Sequence, residues 1–573
     1  MSGQPVSSAD AAAPAASASR RWWTFPRTRR YFARFSLPGL TGALLFYCLS
    51  LTPSLLPRVW YLQAVMSGIT IVIGYAVGIF VGWLLRSLIP WRPPRALRLA
   101  GGWTLMTAAV VLVPLFGYLG AEWQHEIREL VDASQPSEAR YFLVAGVSLL
   151  IAVAVIGLTR GVKSLVRVAA RPLGRVLPRQ AATALAVLVV VLILGFLATD
   201  LLPRLAISGA NSVFRDVDNG TSAGVSEPVT ALRSGGPTSL VPWITLGRQG
   251  RTFVDTGPTP SEISKFTGRP SMEPIRVYVG LKSSDSIEAE ASLAVAELER
   301  TGAFNRKVIV VATTTGTGWL NPAMIDPLEY MYDGDTAVVA VQYSYLPSWI
   351  SFLVDKGPAQ AAGRDLFDAV YAKWLGLPAG HRPKLVVFGE SLGSFGGEAA
   401  FSGTYDIRDR TSGVLWTGPT NSNTLWSRFT AARDPRSPEW RPVYEGGRTV
   451  RFASTPAQLS PLAPPAPSRW DHPRVVYLQN PSDPIVWWSW GLAFHQPDWL
   501  RGTHPPDVSS AMHWYPLVTF WQVAGDLALA TAVPPGYGHT YGIRQGTAAW
   551  AAILPPSGWT PERTEALGTL PAN

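Results

Sequence analysis

Cysteine is almost absent from this sequence of 573 residues. The single cysteine, Cys48, excludes an intramolecular disulfide framework and a thiolate metal cluster. Charged residues are also scarce, at 15% of the chain, whereas hydrophobic residues account for 47%. A chain of this length and composition is too long for one domain and too apolar for a purely soluble protein.

Signals of nucleic-acid binding are also missing, although the formal net charge is +10 at pH 7. The sequence has neither zinc-finger spacing nor a basic stripe interleaved with aromatic residues. Many of its basic residues instead flank apolar segments. We therefore expect a membrane protein with no nucleic-acid partner, no cofactor and no metal.

The N-terminal third contains five apolar segments, each near the roughly 20 residues that a helix needs to cross a bilayer. Residues 1–36 precede them and predict a disordered, basic, cytoplasmic tail. No small-residue cleavage site follows, which favours a retained anchor over a signal peptide. The predicted transmembrane bundle covers residues 37–202, with segments at 38–57, 62–85, 100–120, 141–159 and 181–202.

The loops between these segments differ in charge. The loops after the second and fourth segments are rich in arginine, whereas the loop from Glu122 to Arg140 is net acidic. The positive-inside rule places the basic loops and the N-terminus in the cytoplasm. Five crossings would then deliver everything after Asp200 to the outer face of the plasma membrane.

Two features of the bundle bear on its role. Gly74, Gly78 and Gly82 recur every four residues, which predicts close helix packing, either inside one bundle or across a homodimer. The segments contain almost no ionisable residues, although a proton- or ion-coupled transporter usually needs some. We therefore interpret the bundle mainly as an anchor or lipid-facing platform.

The rest of the chain alternates apolar strands with helices. Residues 203–273 are rich in Gly, Ser, Thr and Pro and predict a linker, and residues 274–573 predict a catalytic domain. The alternation indicates a mostly parallel sheet with helices on both faces. Strands are predicted at 275–281, 307–312, 336–343, 384–388, 413–417 and 474–478, with helices at 284–300, 358–376 and 392–403.

The predicted site centres on Ser391. The strand at 384–388 runs into the pentapeptide Gly389-Glu-Ser391-Leu-Gly393, and small residues follow that would let a helix pack closely against the sheet. A strand, a sharp turn and a close-packed helix are the context in which G-x-S-x-G forms a nucleophile elbow. A glycine-rich turn without chemistry is the alternative, because a chain with 52 glycines can match the pattern by chance.

The other members of a triad are expected after the serine, in the order Ser, Asp, His. Asp483 follows the strand at 474–478 in a Pro-bounded turn, although Asp-Pro is also a common turn former. His539 lies in a glycine-rich loop before the last helix, from which a base could reach back over the sheet. Three other histidines also satisfy the order: His495, His504 and His513.

An oxyanion hole needs two backbone N–H groups. One is expected from Leu392, directly after the serine. The second is expected from the loop after the strand at 307–312, at Gly316 or Thr317, although this loop could be a plain turn.

With these motifs the chain resembles the membrane-anchored α/β-hydrolase family of bacteria, especially actinobacteria. In that family a multi-span N-terminal domain precedes a serine-hydrolase-like domain. The resemblance rests on the apolar segments, the Gly-Glu-Ser391-Leu-Gly elbow, the Asn-Pro-Ser-Asp483-Pro turn and the Gly-His539-Thr-Tyr loop. It implies an α/β-hydrolase fold and a Ser-Asp-His triad, but the oxyanion loop lacks the His-Gly start of lipases.

The interval between Asp483 and His539 is rich in aromatic residues. Such residues are typical of an acyl-pocket rim or a membrane interface, and equally of an aromatic core. Because the anchor confines the domain to the bilayer, we expect an esterase, lipase or acyltransferase that acts on an acyl-lipid or envelope ester. The alternatives are an inactive envelope scaffold and a regulatory domain of a transport protein. The aromatic residues include Trp487, Trp488, Trp490, Trp499, Trp514 and Trp521.

Overall fold

The computed structural model describes residues 35–89, 93–134, 140–460 and 469–571, so the predicted N-terminal tail lies almost wholly outside the described residues. In the described part, apolar helices come first, and a seven-stranded sheet with flanking helices follows. The first helices are α1 (Leu37–Ser50), α2 (Trp60–Leu88), α3 (Arg95–Leu130), α4 (Leu143–Leu173) and α5 (Arg179–Phe196).

Four of these described helices, α2 to α5, are long and apolar enough to cross a membrane. They contain 29, 36, 31 and 18 residues, so each is near or above the roughly 20 residues that a crossing needs. Many of their large apolar side chains, such as Trp103, Val110 and Leu150, are exposed in the folded chain. Helices with apolar outer faces support membrane association.

The first expected span, at 38–57, differs from the prediction. Only α1 is helical there, and its 14 residues extend about 21 Å at roughly 1.5 Å per residue, short of a hydrocarbon core of about 30 Å. Residues 51–59 then leave the helix, and Leu55 and Leu56 join the buried core of the sheet domain. The prediction of five full-length spans is therefore corrected to four long helices and one short helix.

The glycine stripe of α2 faces α1 of the same chain. A Cβ on Gly74 would lie 2.4 Å from the carbonyl oxygen of Gly42. A Cβ on Gly78 would lie 2.1 Å from the carbonyl oxygen of Pro38, and Gly82 also packs against Pro38. The two helices therefore run antiparallel, and a homodimer through this stripe would have to displace α1.

Residues 203–273, predicted as a linker, are largely structured. A π-helical turn at Leu197–Leu201 leads into α6 (Leu202–Asn219), and α7 (Gly247–Asp255) and α8 (Pro260–Thr267) follow. Val254 and Ile263 of these helices are fully buried in the core that the sheet also forms. This segment is therefore packed into the C-terminal domain, which its low apolar content did not indicate.

The sheet is parallel throughout, with the order β1-β3-β2-β4-β5-β7-β6. The six predicted strands all form, which confirms the predicted fold class. A four-residue edge strand, β6, was missed because so short a run gives little periodic signal. The strands are β1 (Ile275–Val279), β2 (Val308–Thr313), β3 (Thr336–Val341), β4 (Lys384–Glu390), β5 (Gly413–Thr417), β6 (Val450–Ala453) and β7 (Arg474–Leu478).

Helices cover both faces of the sheet. On β5, Gly413 packs against Ile553 of one helix, whereas Trp416 packs against Gly397 of another. Positions three residues apart on a strand point to opposite faces. The helices that follow β1 are α9 (Ile287–Arg300), α10 (Pro322–Met331), α11 (Ser348–Val354), α12 (Gly357–Leu375), α13 (Leu392–Glu398), α14 (Thr404–Arg410), α15 (Thr424–Ala431), α16 (Pro484–Trp487), α17 (Val518–Leu527), α18 (Ile543–Ile553) and α19 (Pro561–Gly568).

Candidate active site

Ser391 occupies the turn between β4 and α13. Its backbone has φ 55° and ψ −125°, a conformation that is unusual for a residue other than glycine. A Cβ on Gly389 would lie 2.5 Å from the carbonyl oxygen of Gly393. A Cβ on Gly393 would lie 2.2 Å from the carbonyl oxygen of Thr313, at the end of β2. The strained serine and the two crowded glycines are the geometry of a nucleophile elbow.

The elbow is held to the next strand and opens into a large cavity. The amide of Ser391 donates to the carbonyl of Thr417, at the end of β5, at 2.8 Å. Ser391, Leu392 and His539 all line a cavity of about 1650 Å³. Leu392 is the first residue of α13, so its amide has no partner within that helix and is available to a ligand.

Asp483 lies after β7 and caps the short helix α16. Its side chain is fully buried, and Oδ1 accepts from the amide of Ile485 at 2.9 Å. Oδ2 contacts Nδ1 of His539 at 2.6 Å and accepts from the hydroxyl of Tyr541 at 2.8 Å. Because an ionised carboxylate only accepts, this contact assigns the His539 proton to Nδ1 and leaves Nε2 as the basic nitrogen.

His539 is held by the backbone around it. Its amide donates to the carbonyl of Ala530 at 2.7 Å. Its ring lies against Gly418, where φ is +53° and an added Cβ would lie 2.5 Å from Cε1 of His539. Ser391 and His539 share the cavity, but the structure shows no hydrogen bond between them in the described residues. This contact is often long in enzymes without substrate.

Two carboxylates influence the pKa of His539. Burial lowers the pKa of His539, but the charge and hydrogen bond of Asp483 and the charge of Glu390 outweigh it and raise the pKa above its usual value. Burial raises the pKa of Glu390 to about 7, although His539 and a hydrogen bond from Asn321 oppose the shift. The protonated form of Glu390 therefore persists to a higher pH than that of a free glutamate side chain.

Glu390 and Asn321 were missed by the sequence reasoning. Asn321 Nδ2 donates to Glu390 Oε2 at 3.0 Å and to the carbonyl of Tyr541 at 3.2 Å. Both residues line the cavity, so they connect the elbow to the loop that carries His539. The position of Glu390 beside Ser391 in the pentapeptide was the signal that could have identified it.

The loop after β2 differs from the predicted oxyanion loop. The amide of Gly316 donates to the Ser348 hydroxyl at 2.9 Å, and a Cβ on Gly316 would lie 2.5 Å from the carbonyl oxygen of Leu346. The carbonyl of Thr317 accepts from Gln342. Of this loop, Thr315, Trp319 and Asn321 line the cavity. The Gly316 amide thus already has a partner within the protein, and the assignment of the second oxyanion donor to Gly316 or Thr317 stays a prediction.

Comparison with known families supports the fold. A model described as the alpha/beta-hydrolase family matches residues 275–567, and one described as the N-terminus of that family matches residues 51–258. The chain belongs to the α/β-hydrolase family. No curated protein and no solved structure was found to match it.

Among the four histidines considered, the one that lines the cavity of this α/β-hydrolase is His539. His495 and His513 are exposed, and Nδ1 of His513 contacts the carbonyl of Ala511. His504 is partly buried in its own loop. The glycine-rich loop around His539 was therefore the sequence feature that distinguished it from the other three histidines.

The aromatic interval of this α/β-hydrolase mostly builds core. Trp487, Trp488 and Trp499 are buried in the main hydrophobic cluster, whereas Trp490 and Phe494 are exposed. The apolar side chains that line the cavity include Trp319, Phe352 and Ile485, together with Ala524 and Leu527 of α17 and Ala528 directly after it. None of the six tryptophans of the interval lines the cavity, which favours the aromatic-core alternative.

Proposed function

We propose that this α/β-hydrolase is a membrane-associated serine hydrolase or acyltransferase with Ser391, Asp483 and His539 as its triad. The observation that carries the proposal is the 2.6 Å contact between Asp483 and His539 at a cavity that Ser391 also lines. The strained backbone of Ser391 supports it, because an elbow exposes a nucleophile above the sheet.

The proposed reaction has two steps. Ser391 Oγ attacks the acyl carbonyl while His539 Nε2 takes its proton, and Asp483 stabilises the imidazolium. The amide of Leu392 and the hydroxyl of Thr315 would hold the oxyanion, because the Thr315 amide already donates to the carbonyl of Trp319. His539 then returns the proton to the departing alcohol, which leaves an acyl-Ser391. Water or a second alcohol, deprotonated by His539, releases the acyl group as an acid or a new ester.

The substrate we propose is an acyl-lipid or another envelope ester. The cavity is far larger than an acetyl group requires, and α17 gives it an apolar wall. The four apolar helices would hold this cavity near a bilayer, where such esters are concentrated. We further propose the plasma membrane as the location, with the catalytic domain outside.

Turnover of a series of p-nitrophenyl esters by purified full-length protein tests this function. Wild-type protein should hydrolyse acyl chains of eight or more carbons at least as well as acetyl, and Ser391→Ala should abolish both activities. Ser402→Ala, at an exposed serine of the same domain, is the matched control and should retain activity. Wild-type protein without Ser391-dependent turnover would instead favour an inactive scaffold.

The apolar wall can be tested separately. Ala528→Phe fills the cavity beside α17, so it should lower kcat/KM for long-chain esters by roughly tenfold or more and affect acetyl esters little. Ala532→Phe is the control, because Ala532 is also exposed but does not line the cavity. Equal loss for short and long esters in Ala528→Phe would contradict the assignment of this wall to the acyl chain.

A further inference from the structure

The active-site cavity has a wall that comes from the N-terminal bundle. Asp132 lies two residues beyond the end of α3 and lines the cavity together with Ser391 and His539. Its Oδ2 accepts from the hydroxyl of Tyr537 at 2.7 Å. Tyr537 itself lines the cavity and precedes His539 by two residues. A residue of the bundle therefore contacts the loop that carries the base.

A second contact lies one residue closer to His539. Leu56, in the connection between α1 and α2, lies 3.4 Å from the position that a Cβ of Gly538 would occupy. On its other sides Gly538 is crowded by Val533 and by the carbonyl of Ala530. The loop therefore passes between its own domain and the bundle, and a side chain at position 538 would not fit.

Helix α17 extends this contact. Its residues Ala524 and Leu527 line the cavity, whereas Gln522 and Asp526 are bonded to the bundle. Asp526 Oδ1 pairs with Nε of Arg58 at 2.7 Å, and both side chains are fully buried. Asp526 also accepts from the hydroxyl of Ser54 and the amide of Leu55.

This arrangement is more than an anchor requires. An anchor needs only a covalent connection to the domain that it holds at the membrane. Separating a buried ion pair leaves an uncompensated buried charge, which is strongly unfavourable. The Arg58–Asp526 pair therefore opposes any displacement of α17 from the bundle. The same helix forms the cavity wall, and its end leads into the loop of His539.

We propose that the N-terminal bundle is part of the active site, with Asp132 as a positioning residue that holds the His539 loop through Tyr537. The inference rests on the proposed function, because it assigns His539 as the base. It goes beyond that function by assigning the bundle a role in catalysis as well as in membrane association. Asp132 is the bundle residue in the described lining of the cavity, so the hydrolase domain without its bundle lacks part of that lining.

A double-mutant cycle on full-length protein in liposomes tests the inference. Asp132→Ala and Tyr537→Phe should each lower kcat for an acetyl ester by roughly threefold to tenfold, the usual effect of one lost hydrogen bond. KM for this short ester should stay within about twofold, because the contact acts on the base. The double variant should lose no more than either single variant, and Asp132→Asn, which keeps an acceptor, should recover most of the activity.

Hydrogen–deuterium exchange of residues 530–542 gives a readout that does not depend on activity. Exchange should be faster in Asp132→Ala than in wild-type protein and unchanged in Asp216→Ala, a control at an exposed carboxylate of α6. Losses of kcat that multiply in the double variant, or unchanged exchange and kcat in Asp132→Ala, would overturn the inference. Wild-type protein without Ser391-dependent turnover would overturn the proposed function, and the exchange experiment would still decide whether Asp132 holds the loop.

Discussion

Nδ1 of His539 and Oδ2 of Asp483 lie 2.6 Å apart, and both side chains are buried. The two residues are 56 positions apart in the sequence, and the turn after β7 and the loop before α18 bring them together. The Tyr541 hydroxyl donates to the same carboxylate oxygen. Because this oxygen accepts from the His539 ring, the proton of His539 lies on Nδ1 and Nε2 is the basic nitrogen.

The first prediction concerns this pair. Asp483→Asn should lower kcat by a factor on the order of 10⁴ with little change in KM, because an amide favours the wrong imidazole tautomer. Tyr541→Phe should have a much smaller effect, since His539 still bonds to the carboxylate. Steady-state kinetics on a soluble ester would measure both. Asp483→Asn with wild-type kcat would remove Asp483 from the triad.

The second prediction concerns pH. The charged groups that face His539 are Asp483 and Glu390, and the negative charge of each raises the pKa of the imidazole. The base must be neutral to act, so kcat/KM should rise with pH through the pKa of His539. Glu390→Gln removes one charge and keeps an acceptor for Asn321, so the acid limb should move to lower pH.

The pH profile of kcat/KM in Glu390→Gln measures this shift, with Glu288→Gln at an exposed position as the matched control. A limb that stays in place, or that moves to higher pH, would mean that the Glu390 charge does not act on the base.

The third prediction concerns the buried ion pair between the bundle and α17. Arg58→Met leaves the Asp526 carboxylate buried without its cation, which should cost about 3–5 kcal/mol of stability. Adding Asp526→Asn removes that uncompensated charge and keeps acceptors for Ser54 and Leu55, so the melting temperature should partly recover. Thermal unfolding in detergent measures both variants. A double variant less stable than Arg58→Met would contradict this account.

The fourth prediction concerns topology. The first residues of α1 lie near the C-terminal end of α2, because the two helices are antiparallel. The hydrolase contacts at Leu55 and Arg58 lie at the opposite end of α2. We therefore expect the two ends of the chain to lie in different compartments, despite the short α1. Reporter fusions at each end test this in cells. Reporters in the same compartment would mean that α1 does not complete a crossing.

Part of this molecule follows from local sequence patterns. The short, continuous apolar runs of β2 to β5 and β7 indicated strands buried on both faces, and the G-x-S-x-G motif with its small neighbours predicted the sharp turn at Ser391. Asp483 could be selected because it follows a strand, and His539 because it lies in a glycine loop. The expected order Ser, Asp, His limited the number of candidates. These features depend on residues close together in the sequence.

The remainder depends on contacts between distant residues. The first span was predicted to extend to residue 57 because the segment is apolar throughout. Leu55 and Leu56 instead pack into the core of the hydrolase domain. The Arg58–Asp526 pair joins residues 468 positions apart, and neither residue is unusual in its own segment. The occupied amide of Gly316 likewise depends on Ser348, which belongs to a later helix.

The proposed function depends above all on Ser391 acting as a nucleophile that His539 activates. Labelling of full-length protein with a fluorophosphonate probe, followed by peptide mass spectrometry, would identify such a residue. We expect one phosphonylated residue, Ser391, with labelling abolished in Ser391→Ala and slowed on the order of 10³-fold or more in His539→Ala. Label on another residue, or equal labelling rates in wild-type and His539→Ala protein, would contradict it.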